Sequence, residues 1–109
     1  MSKQTIFWTK LGLSSLENVK EFILQEWDDE ILEHFLNLTD KRVEQIRVNP
    51  RLAPIVINRN FRKLVIHKNI SLLYEIVGLK TKILLVWDNR KNPKVLFNKL
   101  NKVSSKANK

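Results

Sequence analysis

The residues best suited to chemistry in this chain are cationic, and they gather in its second half. Arg62 and Lys63, then Lys82, then Arg90 and Lys91 are separated by apolar and β-branched runs. Strands joined by short turns would concentrate all five in one region. A lysine there acts as a point charge, whereas an arginine guanidinium offers a planar fork that can grip a phosphate through two hydrogen bonds. Arg90 is the best placed of them. It follows the apolar run Leu84-Leu85-Val86-Trp87 and sits in the polar turn Asp88-Asn89-Arg90-Lys91-Asn92, closed by Pro93. A buried strand gives such a turn a rigid support from which to aim a side chain at a ligand. The plainer alternative is a surface pair between Arg90 and Asp88, contributing about 0–1 kcal/mol. Arg62 and Lys63 are neighbours on one strand and point to opposite sides, so only one of them can meet a ligand on a given face.

Other reactive groups are few. The chain has no cysteine, hence no disulfide framework and no thiolate metal or redox site. His34 and His67 are its only imidazoles, which argues against a zinc site built by the protein; no metal and no small-molecule cofactor is expected. His67 falls in an expected turn, where a solvated histidine is commoner than a general acid. Tyr74 lies on an alternating strand and reads as core, packed beneath helices with Ile23, Phe35 and Leu85. Glu44 and Glu75 are isolated acids on a basic chain and read as ion-pair partners. Trp8, Trp27 and Trp87 read as packing residues.

The 109 residues suffice for one core, and their 43% hydrophobic content excludes disorder of the whole chain. A net charge of +9 favours polyanionic partners: RNA, DNA, the ribosome or an acidic protein. The charge is uneven. Glu17, Glu21, Glu26, Asp28, Asp29, Glu30 and Glu33 make the first helical region acidic, while lysine and arginine recur from Lys41 onward. No stretch approaches the roughly 20 apolar residues of a membrane span, and Met1-Ser2-Lys3-Gln4 has no signal-peptide character, so the cytoplasm is the expected compartment and no membrane is involved.

These groups are to be positioned by a simple series of elements. Thr5-Ile6-Phe7-Trp8-Thr9 is β-branched and aromatic, as a strand requires. Ser14 and Glu17 have the spacing of a capping box, and Leu16, Val19, Ile23 and Trp27 recur at helical intervals up to about Glu26. Asp28 or Asp29 can cap a second helix with the stripe Ile31, Phe35, Leu38, Val43 and Ile46, stopped by Asn49-Pro50. A loop with an extended piece at Ile55-Val56-Ile57 follows. Phe61–Ile66 and Ile70–Val77 then read as strands about a turn at His67-Lys68-Asn69. Gly78 marks the next turn, and the nearly continuous apolar run Lys82–Trp87 reads as a central strand buried on both faces. The expected fold is α+β: an N-terminal strand and a helical hairpin packed on an antiparallel sheet. One domain is expected over 1–100, with a basic, mobile tail at 101–109.

This β-α-α-β-β-β order resembles the RelE/ParE superfamily of bacterial toxins over about residues 4–100. The resemblance rests on Phe7-Trp8 in the opening strand, on Asn49-Pro50 closing the hairpin, and on Phe61-Arg62-Lys63-Leu64. Leu73-Tyr74-Glu75-Ile76 and the turn Asp88-Asn89-Arg90-Lys91-Asn92-Pro93 complete it, the latter similar to plasmid-stabilisation members. It implies the toxin of a type II toxin–antitoxin module, with an acidic or amphipathic antitoxin as cognate partner. RelE-like members cut mRNA on the ribosome, whereas ParE-like members inhibit DNA gyrase without cutting nucleic acid. RNA cleavage needs an activated 2′-hydroxyl, a stabilised phosphorane and a protonated leaving group. The resemblance carries catalytic roles to Lys63 and Arg90, and contact with nucleic acid or partner to Arg62, Lys82 and Lys91. It also shows departures: Ser71 stands where an arginine is expected, and the C-terminal tyrosine position falls near Leu96 or Phe97. Those departures favour the ParE-like alternative. A basic nucleic-acid-binding domain unrelated to toxins is the remaining possibility.

Overall fold

Strand β1 (Thr5–Trp8) passes directly into helix α1 (Lys10–Glu26), and the joint between them sets the architecture. Thr9 caps α1: its Oγ1 accepts from the Gly12 amide at 2.9 Å and donates to the Ile83 carbonyl at 3.0 Å. The expected capping box at Ser14 is therefore an interior turn of a longer helix. Asp28 caps helix α2 (Asp29–Val48), its Oδ1 accepting from the Ile31 amide at 3.0 Å. Asn49 ends α2 just before Pro50, whose ring forbids a helical predecessor. Strands β2 (Phe61–His67), β3 (Ile70–Val77) and β4 (Lys80–Asp88) complete the fold. This computed structural model describes residues 3–56 and 61–89.

The sheet has the order β1-β4-β3-β2. The last three strands form the expected antiparallel meander, and β4 is central as its apolar run requires. β1 joins β4 in parallel, with Thr5 opposite Lys80 and Trp8 opposite Ile83, so the sheet is mixed. Parallel pairing needs a long crossover. Here both helices and two strands intervene. Gly78 turns β3 into β4 with φ +61°, a conformation open to glycine without steric cost. Gln4 secures the start of β1: its amide donates to the Arg47 carbonyl at 3.0 Å, and its side chain links the Gly78 carbonyl to the Thr81 hydroxyl.

The helical hairpin covers one face of the sheet. Ile23, Phe35 and Ile46 pack there against Ile66, Leu72, Tyr74, Ile83 and Val86. On the opposite face, hereafter the far face, Phe61, Leu73, Leu84, Leu85 and Trp87 form a second buried cluster. A β-bulge explains the division. Leu73 pairs with Leu85 but Tyr74 pairs with Ile83, which leaves Leu84 as the extra residue. The two bulged residues share a face, so Leu84 and Leu85 both turn to the far side. Leu85 accordingly does not pack under the hairpin with Tyr74, as an unbroken alternation would have it. Nor is Trp27 a packing residue, being 61% exposed at the end of α1.

Gly12 is the tightest point of this arrangement. A Cβ there would lie 2.5 Å from the Ile83 carbonyl oxygen, a backbone atom that cannot move alone. Alanine is normally favoured over glycine in a helix by about 1 kcal/mol. Gly12→Ala should nevertheless destabilise the protein by about 1–3 kcal/mol, as overpacking does, measured by urea denaturation. The Tyr74→Ala change, which empties a fully buried aromatic site, should cost about 3–5 kcal/mol in the same assay.

Candidate functional site

Strand pairing arranges the far face in rows. Phe61, Glu75, Lys82 and Phe7 are successive neighbours across the four strands, and Lys63, Leu73 and Leu85 form the next row. Lys80 lies beyond Lys82 along β4, its Nζ 5.6 Å from the centre of the Phe7 ring, a cation–π contact. The far face thus carries Lys63, Lys80 and Lys82 around one carboxylate, Glu75. The ion pairs among the described residues are Lys20–Glu17 and Arg47–Glu44, so none of these three lysines is ion-paired among them.

Arg62 is turned the other way. It pairs across the strands with Tyr74, and both reach the segment that follows α2. The Arg62 guanidinium donates to the Ala53 carbonyl at 2.7 Å and to the Arg51 carbonyl at 3.4 Å, while the Tyr74 hydroxyl donates to the Pro50 carbonyl at 2.7 Å. Loop carbonyls need such donors once the helix has ended. Of the five cations singled out in the sequence, the far face brings together Lys63 and Lys82. Arg62 ties a loop on the hairpin side. Arg90 and Lys91 lie outside the described residues, as do Leu96 and Phe97.

At the end of the far face where β4 finishes, Ser71 is wholly buried and accepts a hydrogen bond from the Asn89 side-chain amide at 2.8 Å. The Asn89 backbone amide donates to the Asn69 carbonyl at 2.6 Å. This network ties the end of β4 to β3 and to the β2–β3 turn. The Asn89 Oδ1 atom is buried without a partner among the described residues. Ser71 therefore does structural duty where the resemblance expects an arginine.

Apart from Glu75, the proton-transfer groups singled out in the sequence stand away from the lysines. Tyr74 points under the hairpin, and burial pushes its phenol above the usual tyrosine range. The Arg47 guanidinium hydrogen-bonds Glu44 and holds that carboxyl below its usual value, so Glu44 is the ion-pair partner expected of it rather than a base. His67, at the end of β2, contacts His34 of α2 on the hairpin side. The lysine array can attract and hold an anion; among the described residues Glu75 is the one proton acceptor in its rows.

No helix among the described residues is long and apolar enough to cross a membrane. The sequence matches no protein-family model, and no curated protein matches it. Among solved structures, the chain is similar to one from a chromosomal ParDE TA system from P. aeruginosa. That likeness has a TM-score of 0.66 at 14% identity and covers 77% of this chain and 94% of the other. At that identity it bears on architecture alone. The chain has the RelE/ParE-like fold that its sequence resembles.

Tyr74 offers a test of the hairpin-side geometry. An unfolded tyrosine ionises near pH 10. The folded phenol, with its raised pKa, keeps its proton longer, so its contribution to stability is full below that value and is lost as the pH rises beyond it. Tyr74→Phe should lose about 1 kcal/mol at neutral pH, from the bond to Pro50. The gap to wild type should then close or reverse above about pH 10, as measured by denaturant unfolding at each pH.

Proposed function

We propose that this chain is the toxin of a type II toxin–antitoxin module, that an acidic antitoxin segment masks its lysine-bearing face, and that it inhibits growth by binding its target. The observation that carries the reading is the fold likeness to the ParDE chain, which spans nearly all of that protein. The far-face lysines support the choice of an acidic partner. Charge complementarity of this kind speeds association and makes it sensitive to salt. Burial of Ser71 supports binding over cleavage, because the arginine that would stabilise a phosphorane has no counterpart there.

The proposed target is DNA gyrase, as for ParE-like members. Ribosome-dependent mRNA cleavage is the second reading, and the specific feature in its favour is the far-face position of Lys63. Two assays divide them: supercoiling by gyrase, and integrity of a reporter mRNA in a translating extract. Inhibition of supercoiling with intact mRNA is the expected outcome, and cut mRNA with unaffected gyrase would reverse the assignment. Failure to impair growth on expression without a neighbouring acidic gene product would sink the toxin reading itself.

Two variants test the charge argument. Lys63→Gln with Lys82→Gln should weaken binding to the antitoxin segment and flatten its dependence on ionic strength between 50 and 200 mM salt, roughly the interval over which such contacts are screened. Arg90→Ala should leave the melting temperature nearly unchanged and reduce growth inhibition at equal protein level. Undiminished toxicity would remove Arg90 from the functional set.

A further inference from the structure

The apolar cluster on the far face is shielded from water more completely than its described neighbours can explain. Phe61, Leu73, Leu84 and Leu85 are at most 1% exposed, and Trp87 is 4% exposed. Among the described residues, the apolar side chain packed on the cluster from outside the sheet is Leu11, at the start of α1. One leucine cannot shield five large side chains. The margins of the same face are open: Phe7, Val65 and Val77 are each nearly half exposed. The covered area is therefore a diagonal band, from Trp87 over Leu85 and Leu73 to Phe61. It crosses two strand spacings and four residues of β3, a distance of roughly 16 Å.

The cover must come from this chain, and three segments outside the described residues are candidates. Residues 1 and 2 adjoin Gln4, which bonds the Gly78 carbonyl at the end of the sheet remote from Trp87. Residues 57–60 lead into Phe61 and hold one apolar side chain, Ile57. Residues 90–109 start beside Trp87, where Asn89 bonds Ser71 and the Asn69 carbonyl. In them Leu96, Phe97, Leu100 and Val103 recur at helical spacing, Lys94, Asn98, Asn101 and Lys102 fall on the opposite side, and Pro93 suits a first helical position. A helix over 93–103 is about 16 Å long, the length of the band.

We infer that residues 93–103 lie across the far face as a basic amphipathic helix, apolar side down, so that this face presents an anion with Lys94 and Lys102 flanked by Lys63 and Lys82. Charge alone would send the segment elsewhere. Residues 90–109 hold seven lysines and arginines and no acid, and the acidic surface is the hairpin. Repulsion between exposed, screened lysines is weak beside the burial of several large apolar side chains, so the far face wins. This placement is independent of whether the chain is a toxin.

The chain has no cysteine, so Asn98→Cys can carry a single nitroxide label on the polar side of the segment. Paramagnetic relaxation should weaken the backbone amide signals of Lys63, Leu73 and Leu85 and spare those of Trp27 and Ile31 at the hairpin tip. The placement is overturned if the loss falls on Trp27 and Ile31 instead, as docking on the acidic hairpin would give, or if no amide outside the segment is affected. Leu96→Asn combined with Leu100→Asn should uncover the cluster. The double variant should bind a hydrophobic dye that the wild type does not, and its melting temperature should fall by about 10 °C or more. Unchanged dye binding and melting temperature would overturn the placement as well. The label test leaves the apolar side of the segment intact, so a double variant that failed to fold would not rescue the idea.

Discussion

The sheet is irregular in two places, and at each the hairpin satisfies backbone groups that the ladder leaves over. Where the bulge at Leu84 interrupts β4, Val86 lies beyond the end of β1 and its amide has no strand partner on that side. Ser15 of α1 supplies one, its Oγ accepting at 2.8 Å from a buried position in the helix face. Where β2 bulges at Ile66, the Val65 carbonyl accepts from the Arg42 Nε of α2 at 3.1 Å. At Val86, which is buried, an unpaired amide would cost free energy comparable to a lost hydrogen bond, whereas the Val65 carbonyl lies at an exposed edge. Each helix therefore meets one bulge, α1 through a buried bond, and the bulges decide which side chains share a face.

That dependence runs through α1 first. Thr9, Gly12 and Ser15 fall three residues apart and form the stripe by which the helix meets β4. The Thr9 hydroxyl bonds the Ile83 carbonyl, Gly12 leaves room for that same carbonyl, and Ser15 takes the Val86 amide. Small polar residues serve here because the contact is with backbone, which a large apolar side chain would hold away. The larger residues of the hairpin, Ile23 and Phe35 among them, can then reach Tyr74 and Leu72 in the core.

The order of elements was legible in the sequence because each long element announces itself locally. Asp28 before an apolar stripe, Asn49-Pro50 after it, and strands alternating about Gly78 all act within a few residues. The parts that sequence left hidden are those fixed by register. Nothing in Ile83-Leu84-Leu85-Val86 marks Leu84 as the extra residue, so Leu85 was expected beneath the hairpin. Ser14 and Glu17 mimic a helix start, while Thr9, the true cap, is chosen by its bond to a carbonyl 74 residues away. The candidate site shows the same limit. Alternation separates Arg62 from Lys63, but it cannot tell which of the two joins Lys82 without knowing that Phe61 pairs with Glu75 and Glu75 with Lys82.

Charge is partitioned along the same division. Glu17, Glu21, Glu26, Asp28, Asp29, Glu30 and Glu33 are all exposed on the hairpin, whereas Lys63, Lys80 and Lys82 stand on the far face. An acidic segment approaching the hairpin meets like charge, and one approaching the far face meets cations over a low-dielectric apolar cluster of Phe61, Leu73 and Leu85, where attraction is less screened than in open water. A net charge of +9 would attract such a segment from a distance, and the partition would orient it at contact. The same bulge that turns Leu84 and Leu85 to the far side builds the apolar cluster beside these lysines, so the make-up of that face is set by the register of β3 against β4, which Ser15 holds in place.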